Sequence, residues 1–250
     1  MSHTVGEKAR IPFDPAAQHH SIFHALVEAR QAQGGDAVAL IDGDERALTY
    51  DAIIRASFAL GSALKRGSHA GDCVGVMLPT GAASALTFFA LSAMGRIPTM
   101  LNFTSGLAGV KSALRTAQVK RVVTARRLVD VAGLQEVVAG LGAEIVYLED
   151  VRARLSLADK LSGLMGGLMP GLLKRTTSPH RPAAILFTSG TEGEPKGVAL
   201  SHHNILANIA QVRSHIDLYD SDILFNPLPV FHCFGLTVGL LLPLISGVKV

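Results

Sequence analysis

Ten consecutive residues, Thr188-Ser189-Gly190-Thr191-Glu192-Gly193-Glu194-Pro195-Lys196-Gly197, gather three hydroxyls, three glycines and one lysine between the apolar segments 183–187 and 198–200. That mixture suits a polyphosphate. Glycine lets backbone N–H groups approach anionic oxygens closely, and hydroxyls and nested amides donate hydrogen bonds to them. The Lys196 ammonium adds a movable positive charge, on the order of 4 kcal/mol per unit-charge contact at about 4 Å in a surface-like dielectric. The spacing is not that of a Walker loop, G-x-x-x-x-G-K-[ST]. A bare glycine-rich stretch reads by default as a surface hairpin loop, but the hydroxyl run followed by Pro195-Lys196-Gly197 is more specific than that. A second chemical candidate is His232, which stands in the run Pro227-Leu228-Pro229-Val230-Phe231-His232-Cys233-Phe234-Gly235. A lone histidine in apolar company is ordinarily a hydrogen-bonded core residue. The alternative is an imidazole available for proton transfer or charge stabilisation.

These groups need a scaffold, and the pattern around them is α/β. Residues 38–41 and 46–48 flank Asp42-Gly43, a common tight-turn pair, and predict a hairpin. Thr49 then caps a helix whose apolar face carries Ile53, Ala56, Leu60 and Leu64, with Lys65, Arg66 and Gly67 as its stop signals. Short apolar runs at 73–78, 97–101, 121–124 and 144–148 read as strands, with helices between them. Such alternation implies a mostly parallel sheet covered on both faces. The helix at 82–94 is apolar nearly all round, so it should be buried. Ser201 caps a further helix carrying Ile205, Ile209, Val212 and Ile216. Three units are expected: a flexible N-terminus over 1–20, a first α/β subdomain over 21–180, and the start of a second over 181–250 that holds the phosphate loop. The Pro-containing stretch Ser178-Pro179-His180-Arg181-Pro182 reads as the linker between the two subdomains.

Two apolar stretches have competing readings. Residues 231–248 contain His232 and Pro243 and are short for a membrane span, which needs about 20 apolar residues; a buried core helix is the better account. Residues 155–175 are rich in Leu, Gly and Met. A helix pair packed on the body is favoured there over a membrane-surface or acyl-chain contact, because basic residues are few. Composition excludes other classes. With 48% hydrophobic and 17% charged residues the chain is not disordered in general. A net charge of +3 and only 5% aromatics give no nucleic-acid surface, so no nucleic-acid partner is expected. Cys73 and Cys233 lie far apart, which suits a reducing compartment. The 57 residues 73–129 hold no Asp or Glu but contain Arg96, Lys111, Arg115, Lys120, Arg121, Arg126 and Arg127. Such a belt could steer an acidic carrier or anionic lipid; the preferred reading is a solvated face balanced by acids elsewhere.

Residues 188–197 resemble the signature loop of the adenylate-forming superfamily, which includes acyl-CoA synthetases, luciferases and peptide-synthetase adenylation domains. Leu48-Thr49-Tyr50 is similar to the family's early LTY element, and Gly71-Asp72-Cys73-Val74-Gly75-Val76-Met77-Leu78-Pro79 to its first buried strand. Residues 227–235 resemble its P-x-x-H-x-x-G acyl-site element. Most members have Thr or Ser where this chain has Glu192, a carboxylate that a triphosphate would repel. The same form of the loop occurs in the acyl-[acyl-carrier-protein] synthetase half of bacterial 2-acylglycerophosphoethanolamine acyltransferase. That subgroup also resembles this chain at Tyr147-Leu148-Glu149-Asp150, Ala158-Asp159-Lys160 and 231–240.

The resemblance implies a two-step reaction. A fatty-acid carboxylate attacks the α-phosphorus of Mg-ATP, and a thiol of acyl carrier protein, or alternatively of coenzyme A, takes the acyl group from the acyl-adenylate. Thr188, Ser189, Gly190, Thr191, Glu192, Gly193, Lys196 and Gly197 would form the ATP loop, with Thr191 also at the Mg2+ ion. His232 would be the catalytic residue where carboxylate meets α-phosphate, and Phe231, His232, Phe234 and Gly235 would contact the acid. The fold implied is the N-terminal part of the adenylate-forming large domain. The sequence ends ahead of the Tyr-Gly-x-Thr-Glu motif and the C-terminal domain with its catalytic lysine, so these 250 residues alone should not complete the reaction. A non-catalytic nucleotide-binding or interaction fragment is the alternative of another class. The expected location is the cytoplasm, with peripheral contact at the inner membrane as the alternative.

Overall fold

The computed structural model describes residues 20–173, 177–188 and 195–250. The expected flexible N-terminus (1–19 of it) and loop residues 189–194 lie outside these. From α1 (Ile22–Gln33) the chain enters a hairpin, β1 (Val38–Ile41) and β2 (Ala47–Thr49), and then α2 (Tyr50–Leu64). The LTY element has a physical account here. Thr49 closes β2 and caps α2, its hydroxyl accepting from Ala52 N–H at 3.2 Å. The Tyr50 hydroxyl, buried and pushed up to about 12 by that burial, donates to the Leu244 carbonyl at 2.8 Å.

The alternation then builds one sheet. In chain order come β3 (Cys73–Val76), α3 (Ala82–Ala93), β4 (Ile97–Met100), α4 (Gly106–Thr116), β5 (Arg121–Thr124), α5 (Arg126–Val131), α6 (Gln135–Gly140) and β6 (Glu144–Tyr147). After α7 (Leu148–Ala153), α8 (Leu157–Leu168) and α9 (Pro170–Leu173) follow β7 (Pro182–Thr188) and β8 (Lys196–Ser201). The strand order is β6-β5-β3-β4-β7-β8, parallel throughout except for the antiparallel β7–β8 pair. β7 and β8 lie beyond residue 181, where the sequence suggests a second subdomain, and they hydrogen-bond into this same sheet.

One sheet face is covered by α1, α2, α3 and α10 (His202–His215), with Phe23, Phe58, Phe88 and Phe89 fully buried and packed edge to face. Burying each such ring contributes about 1.5–3 kcal/mol. The other face is covered by α4, α5 and α6 through Val110, Leu114, Val129 and Val138. The segment expected to be a buried core helix over 231–248 is mostly buried from Gly235 to Leu244, but residues 232–234 are exposed and it is not one regular helix: α11 (Cys233–Leu236) runs through a π turn (Thr237–Leu241) into α12 (Leu242–Ser246). Leu242 N–H reaches back to Thr237 just before Pro243, which has no N–H to give. Among the described residues no helix is long and apolar enough to cross a membrane.

The Leu/Gly/Met stretch forms a packed helix pair with an inverted face. α8 meets α2 through Gly163, Gly166 and Gly167, where a Cβ would collide with Ala59, Phe58 or Arg55. The fully buried Asp159 joins it there with a two-pronged bond to Arg66, 2.7 and 2.9 Å. The leucines therefore point outward: Leu157 is 85% exposed, and Leu161, Leu164 and Leu168 follow along the same side. Three members of the basic belt meet acids in space. Arg121 pairs with Glu144, Arg126 with Asp150 and Arg127 with Asp44.

Candidate functional site

In the sheet, β3 and β4 are neighbours whose outgoing connections part. The segment after β3 enters α3 on one face, and the segment after β4 enters α4 on the other. Such a switch point leaves a crevice outside the carboxyl ends of the strands, where α/β proteins bind ligands. Thr80 stands on one lip, after β3, and Phe103 on the other, after β4.

The residues around His232 dock over this crevice. The Thr80 hydroxyl donates to the Leu228 carbonyl at 2.9 Å and accepts from Val230 N–H at 3.2 Å. Phe231, half-buried, packs edge-on against Phe103 with ring centroids 5.4 Å apart. Asn226 braces the segment from inside: its Nδ2 donates to the Gly235 carbonyl at 3.1 Å, and its Oδ1 accepts from Leu228 N–H at 3.2 Å. Gly235 is buried, and a Cβ there would lie 2.2 Å from the Pro229 carbonyl oxygen. Sequence reading selected Phe231, His232, Phe234 and Gly235 but not Thr80 or Asn226, the residues that fix their turn.

His232 caps α11, its Nδ1 accepting from Phe234 N–H at 3.4 Å, and its own N–H donates to the Pro229 carbonyl at 3.0 Å. An Nδ1 that accepts leaves the proton of the neutral ring on Nε2. The exposed imidazole thus offers a donor, and Phe234, 54% exposed, stands beside it. An apolar cleft of about 400 Å³ opens next to the same turn, lined in part by Leu40, Ile41, Thr80, Phe225, Asn226 and Leu240.

The phosphate-loop candidates are framed by the β7–β8 hairpin. Thr188 pairs directly with Lys196, and Phe187 with Gly197, so the two ends of the loop lie side by side. β7 is parallel to β4, so Thr188 emerges at the same carboxyl edge as Thr80 and Phe103. Thr188 and Lys196 are both exposed. Gly197 packs against Thr116 at the end of α4. Ser189, Gly190, Thr191, Glu192 and Gly193 lie outside the described residues.

A β-hairpin whose ends, Thr188 and Lys196, meet at the carboxyl edge of a mostly parallel sheet, beside a switch-point crevice, defines a protein of the α/β class with its candidate site at that edge. The family model for AMP-binding enzymes matches residues 27–250, and the chain belongs to that family. It is 33% identical over 215 residues to the acyl-CoA ligase sidI of Beauveria bassiana, covering 81% of this chain and 36% of that protein. It is 27% identical over 220 residues to the medium-chain fatty-acid–CoA ligase of Escherichia coli, covering 86% and 39%. The chain thus spans less than half the length of these curated relatives. Its fold matches apo MatB from Rhodopseudomonas palustris with a TM-score of 0.75 at 22% identity, over 92% of this chain and 44% of that one. The inhibitor-bound N-terminal domain of FACL13 from Mycobacterium tuberculosis matches with a TM-score of 0.75 at 21% identity, over 92% and 56%.

Proposed function

We propose that this chain is the ATP- and acid-binding part of an AMP-forming fatty acid ligase. The observation that carries the reading is the docking of the His232 turn onto Thr80 and Phe103, at the same sheet edge where Thr188 and Lys196 close the loop. ATP is the nucleotide because the loop has the polyphosphate chemistry and the family binds AMP; an ATP-bound MatB has the same fold, with a TM-score of 0.74. The hydroxyls and amides of 188–191 and the Lys196 ammonium would hold the β- and γ-phosphates and the pyrophosphate as it leaves. Mg2+ would neutralise charge on the triphosphate, with Thr191 as its hydroxyl neighbour. His232 Nε2–H would donate to oxygen where the carboxylate meets the α-phosphate. The nucleophiles belong to the substrates, so positioning and charge stabilisation are the protein's contribution.

The test is ATP–pyrophosphate exchange by the full-length protein with fatty acids of increasing chain length. Lys196→Ala should lower exchange at limiting ATP about ten- to hundredfold, the worth of a hydrogen bond to a charged group. Unchanged exchange would remove Lys196 from the site. The acceptor we infer is acyl carrier protein, on the Glu192 form of the loop and its companion motifs. Coenzyme A is the second reading, favoured by relatives named as CoA ligases. Supplying each thiol in turn decides between them, and acyl-CoA formation without acyl-carrier product would overturn the first.

The outward apolar stripe of α8, with Lys160 on the same helix, supports contact with an anionic membrane surface. Co-sedimentation with phosphatidylglycerol vesicles should be lost in the Leu161→Glu, Leu168→Glu double variant. Equal sedimentation of both proteins would assign the stripe elsewhere.

A further inference from the structure

α1 opens with a second group of chemistry-bearing side chains that the ligase reading does not use. His20, His24 and Glu28 follow at intervals of four, which places them on one side of the helix and of the residue ahead of its cap. The imidazoles of His20 and His24 stack, with centroids 4.4 Å apart and 10° between their planes. Both aim Nε2 at one carboxylate oxygen, Glu28 Oε1, at 3.9 Å from His20 and 3.1 Å from His24. One candidate donor atom from each residue lies within 4.8 Å of the others. The side chains are 33–49% exposed, so an ion can reach them from solvent.

Two imidazole nitrogens and one carboxylate oxygen gathered on one side of a helix are donor types that hold transition-metal ions. They are a coherent ligand set. Tetrahedral zinc with bonds of about 2.0–2.1 Å holds its donors roughly 3.3 Å apart. The His24–Glu28 separation is already close to that, whereas His20 must rotate out of its stack with His24, because two parallel rings cannot both point an in-plane lone pair at one ion. We propose that His20, His24 and Glu28 form a binding site for a borderline divalent transition ion of the zinc type, with the remaining position left to water. Nitrogen donors select zinc, nickel or copper over magnesium and calcium, which separates this site from the Mg2+ that accompanies ATP. The helix N-terminus is the unfavourable end for a cation, so the affinity depends on all three donors acting together.

The location gives the ion a structural role. Ser21 caps α1, its hydroxyl accepting from His24 N–H at 3.1 Å. Ile22 N–H donates to Nδ1 of the buried His202, which opens α10 directly behind β8. A bound ion would tie His20, ahead of the cap, to the second turn of the helix and stiffen the joint between α1 and the strand that carries Lys196.

The test uses the full chain, its affinity tag removed and its metals stripped by chelator, with ZnCl2 and CoCl2 as probes at neutral pH. Isothermal titration should show one saturable zinc site, and cobalt should give the visible bands of a tetrahedral ion. His24→Gln and Glu28→Gln each should weaken zinc binding about tenfold or more and abolish the zinc-induced rise in melting temperature. Both side chains are partly exposed, so both variants fold, and circular dichroism checks it. The chain's other histidines and cysteines contribute equally in every variant. Zinc affinity and melting response unchanged by both substitutions, or no saturable site in the wild type, would overturn the proposal.

Discussion

Gly235→Ala tests how tightly the His232 turn is built. The backbone at 235 is helical, so space and not the sign of φ is the constraint. The new Cβ would lie 2.2 Å from the Pro229 oxygen, 2.8 Å from its carbon and 3.0 Å from the Leu228 oxygen. An ordinary carbon–oxygen contact is about 3.3 Å, so something must move by roughly 1 Å. Both neighbours are backbone atoms with other work: Pro229 O accepts from His232 N–H, and Leu228 O accepts from Thr80. Overpacking of this kind costs about 1–3 kcal/mol, and a weakened hydrogen bond adds about 1. Alanine recovers about 1 kcal/mol of helix propensity. The net loss is therefore about 1–3 kcal/mol, a fall of about 2–10 °C in melting temperature for a chain of this size. Activity should suffer more, because a displacement of about 1 Å at a reacting group can cost on the order of a hundredfold. Thermal melts of this chain and pyrophosphate exchange by the full-length protein read the two effects. Gly43→Ala, with nothing within 4 Å of its Cβ, is the control. A Gly235→Ala protein that melts and exchanges like the Gly43 variant would refute the reasoning.

Two further outcomes concern buried titratable groups. His202 is held down to about 4 by burial, so it stays neutral when folded while the unfolded chain takes up a proton near 6.5. Stability should therefore be level above pH 6.5 and fall by up to about 3 kcal/mol between pH 6.5 and 4; urea midpoints across that window should flatten in His202→Gln, and an unchanged slope would show that another group is responsible. The Asp159 carboxyl is held well below the usual range, first by the Arg66 guanidinium and then by Ser156, so its contribution is present above the ordinary aspartate pKa and lost in acid. Because Arg66 is 56% exposed, Asp159→Ala should cost only about 1–3 kcal/mol by urea unfolding at neutral pH, and a loss below about 0.5 would remove the pair from the α2–α8 joint.

Most strands and helices were legible because local pattern and tertiary demand agree. The short apolar runs of β3, β4 and β5 are buried strands, that of β6 forms a half-exposed edge strand, and Thr49 and Ser201 cap the helices they precede. The loop ends were legible through composition, and the pairing of Thr188 with Lys196 follows from two strands joined by a short connection. Thr80 and Asn226 were not legible as turn holders. Thr80 bonds to a residue 148 positions away, and no local periodicity reports that. The orientation of α8 was also hidden. Glycine and leucine both count as apolar, yet only glycine allows the approach to Phe58, so the larger side chains are turned outward. The basic belt misleads for a related reason: Arg126 finds Asp150, and Arg127 finds Asp44, acids that a linear window over 73–129 leaves out.

The hairpin β1–β2 has a consequence for the order in which the chain matures. Ile41 N–H donates to the Val250 carbonyl at 2.7 Å, and Val250 N–H donates to Ala39 at 3.0 Å. Tyr50 likewise waits for Leu244, and Ile22 for His202. On a ribosome adding about 5–20 residues per second, the roughly 200 residues between these partners take about 10–40 s to appear. Through that interval the first helix and hairpin lack these hydrogen bonds, and Phe23, Leu26 and Leu40 lack the later residues of the same core cluster. The nascent protein is therefore most exposed to aggregation and chaperone capture at its beginning, and arrest short of residue 244 leaves that beginning open.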